Sequence, residues 1–233
     1  MKSFVYILVM LFPFLSSGQG QRLQFMNENN SFLNDANGRP MLLHSEYLIE
    51  GSPFFNQDYC TANLKVRNGK YYQGVQVKLN LQENLVIYHT GDGKEMAAIT
   101  PIEKIVFVNC ADPSKNQVLL SGFPPVDGET VNSFYVLLDS GHVTLLKRIG
   151  VNYRDVKYYG SNQTTRVFEQ KEMLYAYQPA KGMIRLAKEE AAVLSLLSDQ
   201  RKAVQTFLTA NDLKCRKETD LVKIIQFYNA LQQ

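Results

Sequence analysis

The sequence has no tryptophan, and only three histidines and three cysteines among its 233 residues. Tryptophan is a common stacking platform for sugars, so its absence removes the usual sign of a carbohydrate-binding module. His44, His89 and His142 stand in separate segments without paired ligand spacing, and no CxxC spacing is present. These patterns predict neither a metal site nor a bound cofactor. Dense runs of lysine and arginine are also missing, which argues against nucleic-acid binding.

Long apolar runs are confined to the N-terminus. Lys2 precedes an apolar run over residues 4–15, and small residues follow over 16–20. This is the pattern of a secretory signal peptide, and the run is too short for a membrane-spanning helix. We therefore expect residues 1–20 to be removed on export. No cysteine lies near the cleavage region to carry a lipid, so the expected location is the periplasm or the extracellular space.

Charge is divided unevenly along the sequence. Residues 19–144 carry 9 basic and 13 acidic side chains, a net charge of −4, whereas residues 145–233 carry 15 and 9, a net charge of +6. Such a division orients a protein toward an anionic partner. The basic residues are spread singly, however, which favours an ordinary solvated surface.

The three cysteines are an odd number for an exported protein. Cys60, Cys110 and Cys215 allow one disulfide and one free thiol, with three possible pairings. One disulfide is too few to build a scaffold, so an apolar core must hold the fold together.

Alternation of apolar and polar residues predicts strands from Thr61 onward. "ANLKV" and "GVQVKLN" alternate on either side of Asn68-Gly69, the strongest short hairpin signal. Further strands are predicted at "NLVIYH", "MAAIT", "IEKIVFVN", "SFYVLL", "HVTLLKR", "RVFEQKEMLYAY" and "GMIRLA", with a long loop over residues 111–130. The expected fold class is α+β and mainly β. It is an antiparallel meander, forming an open sheet, a sandwich or a near-closed barrel, with a C-terminal helical tail.

Three regions follow the signal peptide. Residues 21–60 are rich in turn formers and predict an irregular N-terminal arm, and residues 61–187 form the antiparallel β domain. From Lys188 the apolar period changes from two to 3.6, which predicts a helical tail over 188–233 packed on the sheet. The expected buried face of the last helix consists of Leu221, Ile224, Ile225 and Tyr228.

Two short motifs suggest chemistry. "YHTGDGKEM" has Tyr88 where a P-loop needs glycine, and Lys94 interrupts the oxygen ligands of a calcium loop, so we predict a turn between two strands. "DSGH" places an acid, a hydroxyl and an imidazole within residues 139–142. It lies between two strands, however, where a hairpin tip cannot hold the geometry of a catalytic triad. We therefore assign no catalytic residue.

Tyrosine is the one enriched residue type, with 13 copies. Its apolar ring and polar edge suit the recognition of sugars or proteins, although tyrosine is also a favoured strand residue. The candidate ligand-binding residues are the adjacent pairs Tyr71-Tyr72 and Tyr158-Tyr159.

A resemblance adds to this picture. "GSPFFNQDY" followed by "RNGKYYQGVQVKLNLQENLVIY" resembles a pattern found among uncharacterised secreted proteins of the Bacteroidota, with a GSP[YF] start and a β-hairpin. "LLSDQRKAVQTFLTANDLKCRKETDLVKIIQFYN" is similar to the helical tail of many of them. The likeness covers most of the mature chain, although Leu79 before Asn80 departs from their more frequent Tyr-Asn. It implies bacterial export and a β-rich body, and it brings no catalytic residues.

The function expected from these features is that of an exported, non-catalytic binding or envelope-assembly protein. Its partner would be a protein or a glycan at the cell envelope, without nucleic acid and without a membrane span after signal cleavage. The alternative is a secreted hydrolase whose carboxylates come together only in the fold. The candidate carboxylates for this alternative are Asp92, Glu95, Glu103 and Asp127.

Overall fold

The structure is a computed structural model that describes residues 39–40, 48–160 and 163–232. The predicted signal peptide and most of the predicted arm lie outside these residues. Within the arm, residues 39–40 and 48–60 are described. They contain two short strands and an isolated bridge between Phe54 and Asn80.

Among the described residues, twelve strands form a single sheet. The strands are β1 (Arg39–Pro40), β2 (Leu48–Glu50), β3 (Cys60–Val66), β4 (Tyr71–Asn80), β5 (Leu85–His89), β6 (Glu95–Ala97), β7 (Ile102–Asn109), β8 (Val118–Leu120), β9 (Tyr135–Asp139), β10 (Thr144–Val156), β11 (Thr165–Gln178) and β12 (Gly182–Arg185). Their order in the sheet is β1-β6-β5-β4-β3-β7-β8-β9-β10-β11-β12, and β2 pairs in parallel with β11. The predicted α+β, mainly β fold class is confirmed, and the sheet is open.

The sheet departs from a simple antiparallel meander where β1 and β2 join it, and again at β7. β7 pairs with β3 instead of β6, although β6 precedes it in the chain. The free edge of β6 is taken by β1, and β3 offers a much longer edge than the three residues of β6. β8 was not predicted, because its three residues lie inside the polar, turn-rich stretch read as a loop.

The stretch "YHTGDGKEM" is a turn between β5 and β6, as predicted. Thr90 N–H donates to Lys94 O at 2.9 Å, and Gly93 N–H donates to Thr90 O at 2.9 Å. Gly93 has a φ of +82°, a value that favours glycine. The Thr90 hydroxyl donates to the Asp92 carboxylate, and Lys94 forms an ion pair with the same carboxylate at 3.1 Å.

Two strands are joined by a disulfide. Cys60 begins β3 and Cys110 follows β7, where the antiparallel register places Thr61 opposite Asn109. The two cysteines lie 4.5 Å apart between Cα atoms and close a separation of 50 residues. This selects one of the three possible pairings, and Cys215 is left free and buried.

Three helices cover one face of β10 and β11. They are α1 (Glu190–Leu196), α2 (Arg201–Ala210) and α3 (Glu218–Leu231). Val143, just before β10, and Leu145, Leu174 and Ala176 of the sheet form one apolar cluster with buried side chains of the helices. The predicted face of the last helix is buried as expected, with Leu221, Ile224 and Ile225 at 0% exposure and Tyr228 at 1%.

The hairpin that contains "DSGH" is fastened to α3 by one side chain. The amide of Asn229 donates to the Asp139 carboxylate at 2.8 Å and to Val143 O at 2.9 Å, and its oxygen accepts from Val143 N–H at 2.8 Å. A Cβ at Gly141 would lie 2.5 Å from Asn229 Cγ, so only glycine permits this close approach. The motif is therefore a junction between sheet and helix.

Candidate functional site

The two predicted tyrosine pairs lie on separate parts of the sheet. Tyr71 begins β4 and is half exposed, whereas Tyr72 packs partly against the core. Tyr158 and Tyr159 follow β10, and the sheet order places four strands between β4 and β10. This separation places the two pairs in different regions of the sheet. Their role in binding stays a prediction.

The second pair belongs to a larger exposed surface, which we call the distal ribbon. It consists of residues 150–159, residues 165–171 and β2. β10 and β11 are paired along their whole length, but the side chains of residues 152–155 and 169–172 are exposed. Nearly half of the large exposed apolar or aromatic side chains described in the protein fall on this ribbon. They are Leu48, Ile49, Tyr153, Tyr158 and Tyr159.

An arginine organises the centre of the distal ribbon. The Arg166 guanidinium lies 4.1 Å from the centroid of the Tyr153 ring, and it donates two hydrogen bonds of 2.8 Å to the Asp155 carboxylate. These bonds lower the pKa of Asp155 below its usual range. Tyr153 also contacts Phe168, with ring centroids 5.9 Å apart. Aromatic residues and arginine are enriched at protein interfaces.

The Tyr158 hydroxyl connects the ribbon's tip to β2. It donates to the Glu50 carboxylate, at 3.2 Å to one oxygen and 3.3 Å to the other. β2 itself is held by parallel pairing of Leu48 with Thr165 and of Glu50 with Val167. Tyr159, the next residue, is fully exposed. The tip therefore carries one tyrosine held by a hydrogen bond, Tyr158, and one fully exposed tyrosine, Tyr159.

The four carboxylates proposed for a hydrolase are not brought together. Each has its own partner, although Asp92 and Glu95 share the β5–β6 hairpin. The pairs are Asp92 with Lys94, Glu95 with Tyr59, Glu103 with Lys65 and Asp127 with Tyr175. Glu103 lies on β7 and Asp127 in the loop before β9, so the fold does not gather the four carboxylates into one acid–base site.

Glu95 is the candidate that lies close to both a tyrosine and a histidine. It lies opposite His89 in the β5–β6 pair and accepts a hydrogen bond of 2.6 Å from the Tyr59 hydroxyl. His89 Nε2 is 3.7 Å from the same carboxylate oxygen, and the rings of His89 and Tyr59 stack at 3.8 Å. Burial raises the pKa of Tyr59, and the hydrogen bond to Glu95 raises it further. The tyrosine therefore stays protonated at neutral pH.

A concave site lies on the face of β10–β12 opposite the helices, beneath the loop over residues 128–133. We call it the loop-side cavity, and its volume is about 410 Å³. The strands contribute Arg148, Gly150, Asn152, Lys171, Met173 and Arg185 to its wall. Concave sites of this size with convergent polar groups are the usual location of small-molecule binding.

Arg148 forms the fixed part of this wall. It is 3% exposed, and its guanidinium donates to the Glu129 carboxylate at 2.8 Å, which ties the loop to β10. The remaining N–H groups donate to Ile149 O at 3.0 Å, Asn84 Oδ1 at 3.1 Å, Leu81 O at 3.2 Å and Phe134 O at 3.5 Å. The charge is thus paired and fully hydrogen-bonded, as a buried arginine requires.

Two buried tyrosines lie beside this ion pair. Tyr175 donates to the Asp127 carboxylate at 3.2 Å, and burial together with the Asp127 charge raises the pKa of Tyr175 to about 12. Tyr135 packs edge to face against Tyr175 at 5.6 Å. Its buried hydroxyl has no hydrogen-bond partner among the described residues, and burial followed by the charge of Glu129 raises its pKa.

Among the described residues, no three histidine, cysteine, aspartate or glutamate side chains are grouped so as to hold a metal ion. None of the helices in the described ranges has the length and apolarity needed to cross a membrane.

Comparison with protein-family models, with curated proteins and with solved structures finds no match for this protein. The resemblance to secreted Bacteroidota proteins therefore stays a prediction, and a functional argument must come from the geometry.

Sequence reasoning missed both the distal ribbon and the loop-side cavity. The ribbon was missed because the predicted strand "HVTLLKR" ends at Arg148, whereas β10 continues to Val156. One signal for the cavity was Gly150, since a glycine inside a strand often marks a place where no side chain fits or where space is left open. The clustering of Arg148, Lys171 and Arg185 depends on strand register and has no local signature.

Proposed function

We propose that this protein is exported and acts without catalysis, as a binding or envelope-assembly component that presents the distal ribbon to a partner protein. The observation that carries the proposal is the concentration of exposed aromatic and aliphatic side chains on the ribbon. Exposed apolar and aromatic side chains that are concentrated in one region of a soluble protein mark interaction sites.

Export is supported by two features. The first is the predicted signal peptide over residues 1–20. The second is the disulfide between Cys60 and Cys110, because disulfides persist in oxidising compartments such as the periplasm and are rare in the cytosol.

A protein partner is supported by the composition of the ribbon. Tyr153 and Arg166 are stacked on one another, and side chains of this type dominate binding free energies at protein interfaces. Charges of both signs surround them, including the exposed pair of Arg154 with Glu169. Such a mixed rim around aromatic residues fits another protein better than it fits a uniformly charged polymer.

The proposal is tested by placing a photo-crosslinking amino acid at Tyr159 and, as a control, at Lys223 on the exposed side of α3. In cells that export the protein, we expect a discrete protein adduct from position 159 and none from position 223. Tyr153→Ala and Arg166→Ala introduced into the position-159 variant should reduce that adduct strongly. Equal adducts from both positions, or no adduct from 159, would contradict the proposal.

The alternative of a secreted hydrolase has one specific observation in its favour, which is the contact of Glu95 with Tyr59 and His89. It predicts a turnover of ester, peptide or glycoside substrates that disappears in Glu95→Gln. Glu103→Gln is a suitable control, since Glu103 forms a half-exposed ion pair with Lys65. Activity that is equal in both variants, or missing from the unmodified protein, would remove this alternative.

A further inference from the structure

We infer that the loop-side cavity is a binding site for a small organic acid that carries hydroxyl groups, the chemical class of a sugar acid. This inference is independent of the partner protein proposed for the distal ribbon. Gly150, Asn152 and Lys171 belong to both surfaces, but the ribbon proposal depends on Tyr153, Tyr158, Tyr159 and Arg166, which are not among the residues that line the cavity. It depends on the charge balance, on the neutral hydrogen-bonding groups and on the shape of the cavity.

The cavity has an excess of positive charge. Arg148, Lys171 and Arg185 line it, and Glu129 is the single carboxylate among its lining residues. The Glu129 charge is already matched by Arg148 at 2.8 Å. Two cationic side chains therefore remain for a ligand.

Both of these side chains have few or weak polar contacts within the described protein. Lys171 forms no ion pair or side-chain hydrogen bond with any other residue that the structure describes. Arg185 reaches only Asp127, at 4.0 Å, and its side chain is 53% exposed. Because Lys171 and Arg185 stand on neighbouring parts of the same face, an anionic group between them gains charge-assisted hydrogen bonds, which are among the strongest available to a ligand.

The rest of the polar wall is neutral. Gln82 and Asn152 contribute side-chain amides that make no hydrogen bond with the described residues, and Asn84 uses only its oxygen, which accepts from Arg148. Thr130 and Ser133 add hydroxyl groups, which accept from backbone N–H groups of the loop and keep their own O–H to donate. Amides and hydroxyls both donate and accept, which is the complement of an alcohol. A bare inorganic anion would leave these groups unused.

The shape of the cavity is set before any ligand arrives. The hydrogen bonds of Arg148 hold the loop against β10, so the wall does not need to be ordered on binding. Gly150 has no side chain, so it leaves space at the strand side of the cavity. A Cβ at this position would lie 2.9 Å from the Met173 methyl group, so any side chain there extends into the cavity.

The experiment uses the mature protein and D-glucuronate as the probe, with binding followed by calorimetry or by NMR at low ionic strength. We expect saturable binding to the unmodified protein and no binding of D-glucose, which lacks the carboxylate. Lys171→Gln and Arg185→Gln should each weaken binding about tenfold, the loss expected for one charge-assisted hydrogen bond. Gly150→Leu should abolish binding without changing the net charge.

Lys181→Gln is the matched control, because Lys181 lies in the turn before β12 and its loss changes the net charge equally. Binding unchanged in Lys181→Gln but weakened in Lys171→Gln and Arg185→Gln supports the site. Equal weakening in all three variants would show non-specific attraction and overturn it. So would no binding of glucuronate, or full competition by inorganic phosphate. If Gly150→Leu fails to fold by circular dichroism, the charge variants and their control decide alone.

Discussion

The two halves of the β10–β11 hairpin are built alike and are buried very differently. Both have continuous antiparallel pairing, from Thr144 opposite Tyr177 to Val156 opposite Thr165. In the proximal half, Leu145 and Leu174 lie beneath the helices and Leu146 and Tyr175 pack on the opposite face. The distal half forms the exposed ribbon. Backbone pairing thus determines how long the hairpin is, and packing by other elements determines which part of it becomes core.

This difference in burial assigns stability to the proximal half of the hairpin and recognition to the distal half. Proximal side chains exclude water and hold the sheet to the helices, so their loss should be felt by the whole fold. Distal side chains have few neighbours to lose, so they are available for a partner at little cost to stability. Four predictions test this division, beginning with the largest expected effect.

The largest effect is expected from the proximal helix face. Ile224→Ala should lower the free energy of unfolding by roughly 2–5 kcal/mol, because Ile224 is fully buried against the sheet. Removal of residues 217–233 should destabilise the whole protein cooperatively. Ile49→Ala in the distal ribbon is the matched control and should change stability by less than about 0.5 kcal/mol. Chemical denaturation measures all three, and equal losses for the two isoleucines would refute the division.

The next effect concerns the junction at Asn229. Asn229→Ala leaves the N–H and C=O of Val143 without their partner and should cost about 1–3 kcal/mol. Asn152→Ala removes the same side chain from the exposed end of β10 and should be nearly neutral. Thermal unfolding of both variants distinguishes them. A harmless Asn229→Ala would mean that water replaces the bonds to the hairpin.

A third effect is confined to alkaline pH. The pKa of Tyr175 is raised from 10.0 to about 12 by burial and by Asp127, so the folded state holds this proton more tightly than the unfolded state. The resulting stability is present below pH 10 and is lost as the pH rises toward 12. Tyr175→Phe should therefore flatten the fall of stability above pH 10. Parallel stability profiles for the variant and the unmodified protein over that range would contradict the assignment.

The smallest effect is expected from ion pairs of the distal ribbon. Arg154 and Glu169 are 3.1 Å apart but more than 60% exposed, so Arg154→Ala should cost less than about 1 kcal/mol. Lys147→Ala on the proximal half of the same strand should cost more. Lys147 is 12% exposed and pairs with Glu218 of α3 at 3.1 Å and with Glu172 at 3.5 Å. The reverse order in urea denaturation would contradict the comparison.

Much of the fold was predictable because its signals are local. The β3–β4 hairpin follows from alternation around Asn68-Gly69, and the turn at Gly93 follows from spacing that fits no phosphate or calcium loop. Strand β8 was missed because three apolar residues give too short a pattern. Of the candidate site, the sequence pointed only to Tyr158 and Tyr159, since tyrosine enrichment is visible without a structure.

The sequence by itself determined three features: the two-residue apolar repeat of the strands, the 3.6-residue apolar repeat of the helical tail, and the apolar face of α3. These depend on residues a few positions apart, whose side chains must share a face whatever surrounds them. Only the tertiary structure decided that β7 pairs with β3, that Cys60 joins Cys110, that half of one hairpin stays exposed, and that Lys171 and Arg185 line one cavity. Each of these depends on contacts between distant segments, and a local pattern is compatible with several such arrangements.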